Sequence, residues 1–399
     1  MNHVCKISLF FLAGFLSIQG SAQNISAKAD SLARVILKQK NVPGLLIGIV
    51  SDGNTQVFSY GETAKGNGIR PDTSHVYEIG SLTQVFTTTL YSGMVIDTLV
   101  KSDDPLQMYL PAGIKVPVRQ NIVCKPVADI NRDNPDRREI HITPYTCFPD
   151  PASRPLDILL CDLATHNSGL PEKPENLEKG SANIYAGYEL GQLYHWLNEA
   201  PLIAEQYPDY HFSDAGMALL GQALVQKSGR SYDELLQRRL LDKLHMHGTK
   251  TEPLKSEWAK HLDGYNSKGE FVPSWKSEAM APAVGLHTTM SDMLLFMKAN
   301  LGETGKTVMP AIEYTHAPRT QVVQQKKTVE EIGLGWRIKM MDAGKYRITW
   351  QEGKTAGFSA YMGFNEIART GVVILCNSPV NLSGAGEELL KALQKTVQE

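Results

Sequence analysis

Apolar and polar positions along the chain change their period four times. Residues Ser26 to Lys40 repeat at helical spacing, whereas Pro43 to Val50 and Gln56 to Tyr60 read as two strands joined by a turn at Asp52-Gly53-Asn54. The helical period returns over Gln84 to Ile96, Leu156 to Ala164, Gly187 to Leu197, Ala215 to Lys227, Tyr232 to Leu244 and Ser291 to Ala299. Gly335 to Met341, Tyr346 to Gln351, Ser359 to Phe364 and Gly371 to Cys376 then read as successive antiparallel strands, and Gly384 to Val397 as a closing helix. Strands from both ends with helices between predict an α/β (α+β) architecture: a central antiparallel sheet flanked by helices, a mainly helical lobe, and a cleft between them. The expected sheet lobe covers about 23–80 and 300–399 and the helical lobe about 81–299, with a polar, proline-rich inserted loop at about 121–155.

The first residues change where this domain is expected to work. Lys6, an apolar run from Ile7 to Ile18 and then Gly20-Ser21-Ala22 read as a cleavable export signal over residues 1–22, leaving 23–399 as the mature domain. That run is short for a membrane span, so the reading is an exported protein, periplasmic or secreted. The formal net charge of -2, with both signs interspersed, points away from nucleic acid and from an anionic membrane as partners. A small-molecule or acyl substrate fits better, with a peptidoglycan fragment among the candidates. No cofactor is implied, and no cysteine or histidine spacing matches a zinc site. Cys124 and Cys147 flank the polar insertion; a bridge between them, worth on the order of 3 kcal/mol, and two free thiols are both open readings. Cys161 and Cys376 lie in apolar runs and are expected to behave as small buried hydrophobes.

Candidate chemistry centres on Ser81-Leu82-Thr83-Gln84, ahead of an apolar helix. A serine and the residue three positions later share a helix face, so a lysine there could take the hydroxyl proton. Gln84 does not titrate near neutrality and can only orient Ser81. The plainer alternative is that Ser81 caps the helix.

Other stretches stand in a fixed order around Ser81: Phe58 to Thr63, Tyr77 to Thr87, Asp103-Asp104-Pro105-Leu106, Leu163 to Pro171, Phe212 to Gly221, Gly333-Leu334-Gly335-Trp336 and Gly357 to Met362. With these the mature chain resembles the penicillin-recognising serine hydrolases, in the class C beta-lactamase-like and D-alanyl-D-alanine carboxypeptidase/endopeptidase branch. The resemblance implies a beta-lactamase/transpeptidase-like fold and an acyl-serine route through three motifs, each altered here. Ser-x-x-Lys is Ser81-Leu82-Thr83-Gln84, and Tyr-Ser-Asn is Phe212-Ser213-Asp214, without the phenol. For Lys-Thr-Gly there are two registers: Lys354-Thr355-Ala356 by eye, and Gln351-Glu352-Gly353 by ungapped counting from Gly357, which is favoured because a strand cannot slip by an odd number without turning its side chains over. A positioned base is worth roughly 10² to 10⁴ in rate, so loss of the lysine and the tyrosine should abolish the usual route.

His287 is expected as a substitute base, with Asp214 orienting it or another cation, although Asp214 is equally suited to cap the helix near Ala215. Gln84, Phe212, Gln351, Glu352, Gly353 and Lys354 are the expected substrate-binding positions, and Glu352 and Lys354 could also pair with each other. His211 is a weaker candidate base, and His166 is given no catalytic role. The N–H of Ser81 and one from the strand near Gly357 are the expected oxyanion donors. Two functions remain open: a retooled serine hydrolase or acyltransferase acting on an ester or activated acyl group, and an inactive relative that binds a cell-wall fragment or small ligand.

Overall fold

The computed structural model describes residues 24–39, 42–119, 122–126, 145–149, 155–178, 180–181, 183–203, 210–253, 259–324 and 327–398. The expected export signal and most of the inserted loop lie outside them. The described strands are β1 (Gly44–Ser51), β2 (Asn54–Gly61), β3 (Val76–Glu78), β4 (Ile122–Pro126), β5 (Tyr145–Pro149), β6 (Gly264–Tyr265), β7 (Phe271–Val272), β8 (His287–Thr289), β9 (Thr320–Gln324), β10 (Lys327–Ile332), β11 (Arg337–Met341), β12 (Tyr346–Lys354), β13 (Ser359–Asn365) and β14 (Thr370–Cys376). Eight of them form one sheet in the order β2-β1-β14-β13-β12-β11-β10-β9. Its pairings are antiparallel.

The period of two decides which residues meet which layer. On one face, Leu45, Ile47, Ile49, Val372 and Ile374 pack beneath the helix at 24–38 and the terminal helix Ser383–Gln398, through Ala29, Ala33, Leu389 and Leu390. Leu46, Val50, Val373, Leu375 and Met362 project from the other face into the larger core, against Met290, Phe296 and Met297 of the Met290–Asn300 helix. Both faces are covered, so β1 and β14 read as nearly unbroken apolar runs rather than alternating ones. The Gln84–Ile96 helix runs through this second core, where Phe86 stacks on Phe296 with ring centroids 4.2 Å apart.

β12 positions the cleft. Its pairing with β11 ends at Trp350↔Arg337, while its pairing with β13 continues to Lys354↔Ser359. Residues 351–354 therefore run beyond β11, alongside the tight turn Gly80–Thr83 that leads into the Gln84–Ile96 helix.

Several elements differ from the expectations. β9 and β10 are polar and short, with little alternation to announce them, and β3 and β8 are three residues each. The expected strand from Gly335 starts at Arg337 because Gly333 N–H bonds to Trp336 O in a turn that needs Gly335 at φ 72°. Tyr232 to Leu244 is helical but contains a wide π turn at Gln237–Leu241. Among the described residues no helix is long and apolar enough to cross a membrane.

The insertion contains a described hairpin in which Cys124 of β4 faces Cys147 of β5. Directly opposed Cα atoms on antiparallel strands lie within the span a disulfide bridges. We expect alkylation of the unreduced, denatured protein to spare both residues while modifying Cys161 and Cys376, which the structure shows as free thiols. Peptide mass mapping that finds Cys124 alkylated without reductant would exclude the bridge.

Candidate active site

Ser81 sits in the Gly80–Thr83 turn, where Gly80 adopts φ 49°. No side chain caps that turn or the helix after it. Ser81 is therefore not a cap: its Oγ donates to Asp214 Oδ1 at 3.1 Å. The same oxygen accepts Gln84 Nε2–H at 2.8 Å, and Tyr185 OH stands 3.4 Å from Oδ2. Asp214 begins the Asp214–Ser228 helix, but the cap there is Ser213, whose Oγ accepts Gly216 N–H at 2.8 Å. The helix start thereby leaves the Asp214 carboxylate aimed across the cleft floor at Ser81.

Hydrogen-bond accounting fixes the protons of this network. Ser213 N–H can only donate, so His166 Nδ1, 3.1 Å away, is an acceptor. The neutral ring then carries its proton on Nε2 and donates it to Gln84 Oε1 at 3.0 Å. That leaves the amide nitrogen of Gln84 for Asp214. Burial drives the His166 pKa down to about 3, so the ring stays neutral and acts as a fixed donor. His166 reaches its place through a left-handed backbone, φ 59°, at the exit of the Leu160–Ala164 helix. Phe212 lies against its ring at 4.7 Å.

Burial also dominates at Asp214, raising its pKa from the ordinary 3.8 to about 7; Glu172 adds to the rise, and bonds from Ser81 and Tyr185 oppose it. A carboxyl poised there is half ionised near neutrality and within reach of a serine proton, which is what a general base requires.

The structure separates His287 from this chemistry. Its Nε2 is 3.0 Å from Ser274 Oγ and 3.9 Å from Glu78 Oε1, and burial lowers its pKa to about 4. The expectation that Asp214 orients a separate histidine is replaced by direct contact between Asp214 and Ser81. His211 passes its backbone N–H to His166 O, and its ring does not line the Ser81 cleft.

At the strand, a Cβ on Gly353 would come within 2.0 Å of Ile79 O and 2.8 Å of Ser81 N, so the backbone of the Gln351-Glu352-Gly353 stretch is the one seated against Ser81. Gln351 is buried with its amide committed to the sheet: Nε2–H donates to Gly335 O at 2.8 Å and Oε1 accepts Glu352 N–H at 3.0 Å. Glu352 keeps one carboxylate oxygen, Oε2, buried without a hydrogen-bond partner. Lys354 is exposed, and its backbone passes over Gly80, whose would-be Cβ lies 2.7 Å from Lys354 N. The N–H of Gly357 itself is directed at Thr355 Oγ1, 3.3 Å away. Ser81, Tyr185, Phe212, Asp214, Glu352 and Lys354 all line one cleft of about 390 Å³.

Two members of the network were not foreseen. His166 carries no signal beyond its place in a structural stretch, and Tyr185 lies in a polar segment with no motif.

The chain matches the Beta-lactamase family over residues 29–395. It is 26% identical over 360 residues, 86% of this chain and 83% of the relative, to the D-alanyl-D-alanine-carboxypeptidase/endopeptidase AmpH of Escherichia coli (strain K12). A Beta-lactamase of Pseudomonas fluorescens is 23% identical over 393 residues, 89% of this chain and 94% of that one. Among solved structures, a Beta-lactamase/D-alanine Carboxypeptidase from Yersinia pestis complexed with citrate superposes with TM-score 0.74 at 22% identity, covering 94% of this chain and 99% of its own. A class C beta lactamase from Rhodobacter sphaeroides gives TM-score 0.71 at 18% identity, over 94% and 99% of the two chains.

Two stability predictions follow from the packing and charge of the site. Gly353→Ala forces a methyl into fixed backbone, and should lower stability by roughly 1–3 kcal/mol in denaturant melts. Folding raises the Asp214 carboxyl, so the unfolded chain ionises first as pH rises; the resulting penalty is absent below about pH 4, grows up to about pH 7 and is then constant. Asp214→Asn should therefore stabilise the protein by up to about 4 kcal/mol at about pH 8 and by much less at about pH 5. A variant whose stability gain does not change with pH would show that Asp214 is ionised at ordinary carboxylate pH.

Proposed function

The chain belongs to the beta-lactamase family, and within it we propose an exported serine acyl hydrolase or acyltransferase that acts on an ester or activated acyl group through Ser81, with Asp214 as its base. The observation carrying this reading is the 3.1 Å hydrogen bond from Ser81 Oγ to a buried carboxylate whose pKa is raised to about 7. In the first step the Ser81 oxygen bonds to the acyl carbon while its proton passes to Asp214 Oδ1. The backbone N–H of Ser81 and that of Lys354, on the strand end seated against its turn, are the donors this reading assigns to the oxyanion. As the tetrahedral species collapses, the alcohol or thiol departs with the proton returned by Asp214. Water or an acceptor alcohol then releases the acyl group by the same steps in reverse.

Gln84 takes no proton in this scheme. Held between His166 and Asp214, it keeps the carboxylate oriented and supplies one of its hydrogen bonds. Reactive esters demand less assistance than amides, so little beta-lactamase or DD-peptidase activity is expected without the motif lysine and tyrosine. A second reading, an inactive member that binds a cell-wall fragment or small ligand, draws on Gln84 itself: an amide with both ends occupied stands where the family's base would be.

A fluorophosphonate or activated p-nitrophenyl ester should label Ser81 of the mature protein, with a rate that rises as Asp214 ionises through about pH 7. Ser81→Ala should abolish labelling, and Asp214→Asn should slow it by about 10² to 10⁴ and remove the pH step. Wild-type protein that stays unlabelled while a Gln84→Lys, Phe212→Tyr variant reacts would decide for the binding protein.

A further inference from the structure

Pairing of β3 with β8 sets Glu78 opposite His287, and the chain returns through His261 beside them. Glu78 and His287 are buried and His261 is half-buried. One ligand-capable atom from each of the three lies within 4.8 Å of the others. We propose that Glu78, His261 and His287 bind one zinc ion, at a site separate from the Ser81 network.

The donor set suits that ion. Two imidazoles and one carboxylate are a recurrent zinc triad, and a divalent cation there would be neutralised in part by the buried carboxylate of Glu78. The orientation of His261 is already that of a ligand. Its Nδ1 is 2.9 Å from Leu262 O, and a carbonyl can only accept, so Nδ1 carries the proton and Nε2 presents its lone pair inward. Ser274 Oγ marks the point of convergence, 3.0 Å from His287 Nε2 and 3.5 Å from His261 Nε2. Glu78 is itself held in place, since its Oε1 accepts Trp275 N–H at 2.8 Å.

The spacing also fits. A tetrahedral shell with bonds near 2.1 Å separates ligand atoms by about 3.4 Å, so the three side chains need to close by roughly an ångström, within the reach of χ rotations. His287 and Ser274 also line a cavity of about 430 Å³, which leaves room for water as a fourth ligand. The Ser81 cleft lies on the other side of Trp275, which borders both spaces.

The full mature chain, prepared without a metal-affinity tag and stripped with a chelator, should take up one equivalent of Zn²⁺ in calorimetry and retain it through gel filtration. Co²⁺ in its place should give the visible absorption of a low-coordinate site, and chelator should lower the melting temperature. His261→Gln, at the half-buried position, and Glu78→Gln should each weaken zinc binding by more than about 100-fold, beyond the cost of losing an outer hydrogen-bond partner. A His245→Ala, His247→Ala variant, which removes the neighbouring pair of rings elsewhere in the fold, should bind as the wild type does. Wild-type protein that retains no zinc, or a His261→Gln variant that binds it equally well, overturns the proposal.

Discussion

A carboxylate closed off from water must draw its hydrogen bonds from the side chains around it, and at Asp214 these are Ser81, Gln84 and Tyr185. Each of those groups is placed by a different part of the fold: the turn before the Gln84–Ile96 helix, the first turn of that helix, and the segment before residue 190. The carboxylate is therefore a junction as well as a reactant. Its desolvation would be costly without these donors, and its raised pKa measures how incompletely they offset that cost.

The sheet makes the junction accessible. Because β12 outruns β11, its last residues stand next to the Ser81 turn, and glycine at 353 lets the two backbones approach without a side chain between them. Helices cover both faces of the sheet behind this arrangement. Ser81, Asp214 and Gly353 thus sit on a tight turn, a helix start and a strand end, which are among the better-defined parts of a backbone.

Much of this was legible from the chain alone. The central strands and long helices follow from apolar period, and Ser81, Gln84, Phe212 and Asp214 stand out once the motif order is seen. What the chain did not display was which of these touch. Motif order alone suggests a residue that orients a histidine at 214, because the sequence cannot show that the Asp214 carboxylate faces Ser81 across the cleft. His287 has a suitable intrinsic pKa, but burial and its Ser274 and Glu78 neighbours are properties of the folded molecule. His166 reads from the chain as structural, and it is structural in a sense that matters, because its tautomer decides which end of the Gln84 amide meets the carboxylate. Absence of zinc-like spacing was likewise a statement about neighbours in sequence, whereas β3 and β8 bring together residues far apart along it.

The amide at Gln84 has a consequence for how substitutions combine. It offers a donor to Asp214 and an acceptor to His166, so a lysine there would place a cation against the carboxylate while leaving His166 Nε2–H without its acceptor. An asparagine at 214 would remove the charge such a lysine needs as its counterion. Positions 84 and 214 are thus energetically coupled, and the effect of exchanging both is not the sum of the two single exchanges. A lysine at 84 is accommodated best while the Asp214 carboxylate remains to pair with it, so the order in which the two positions change matters.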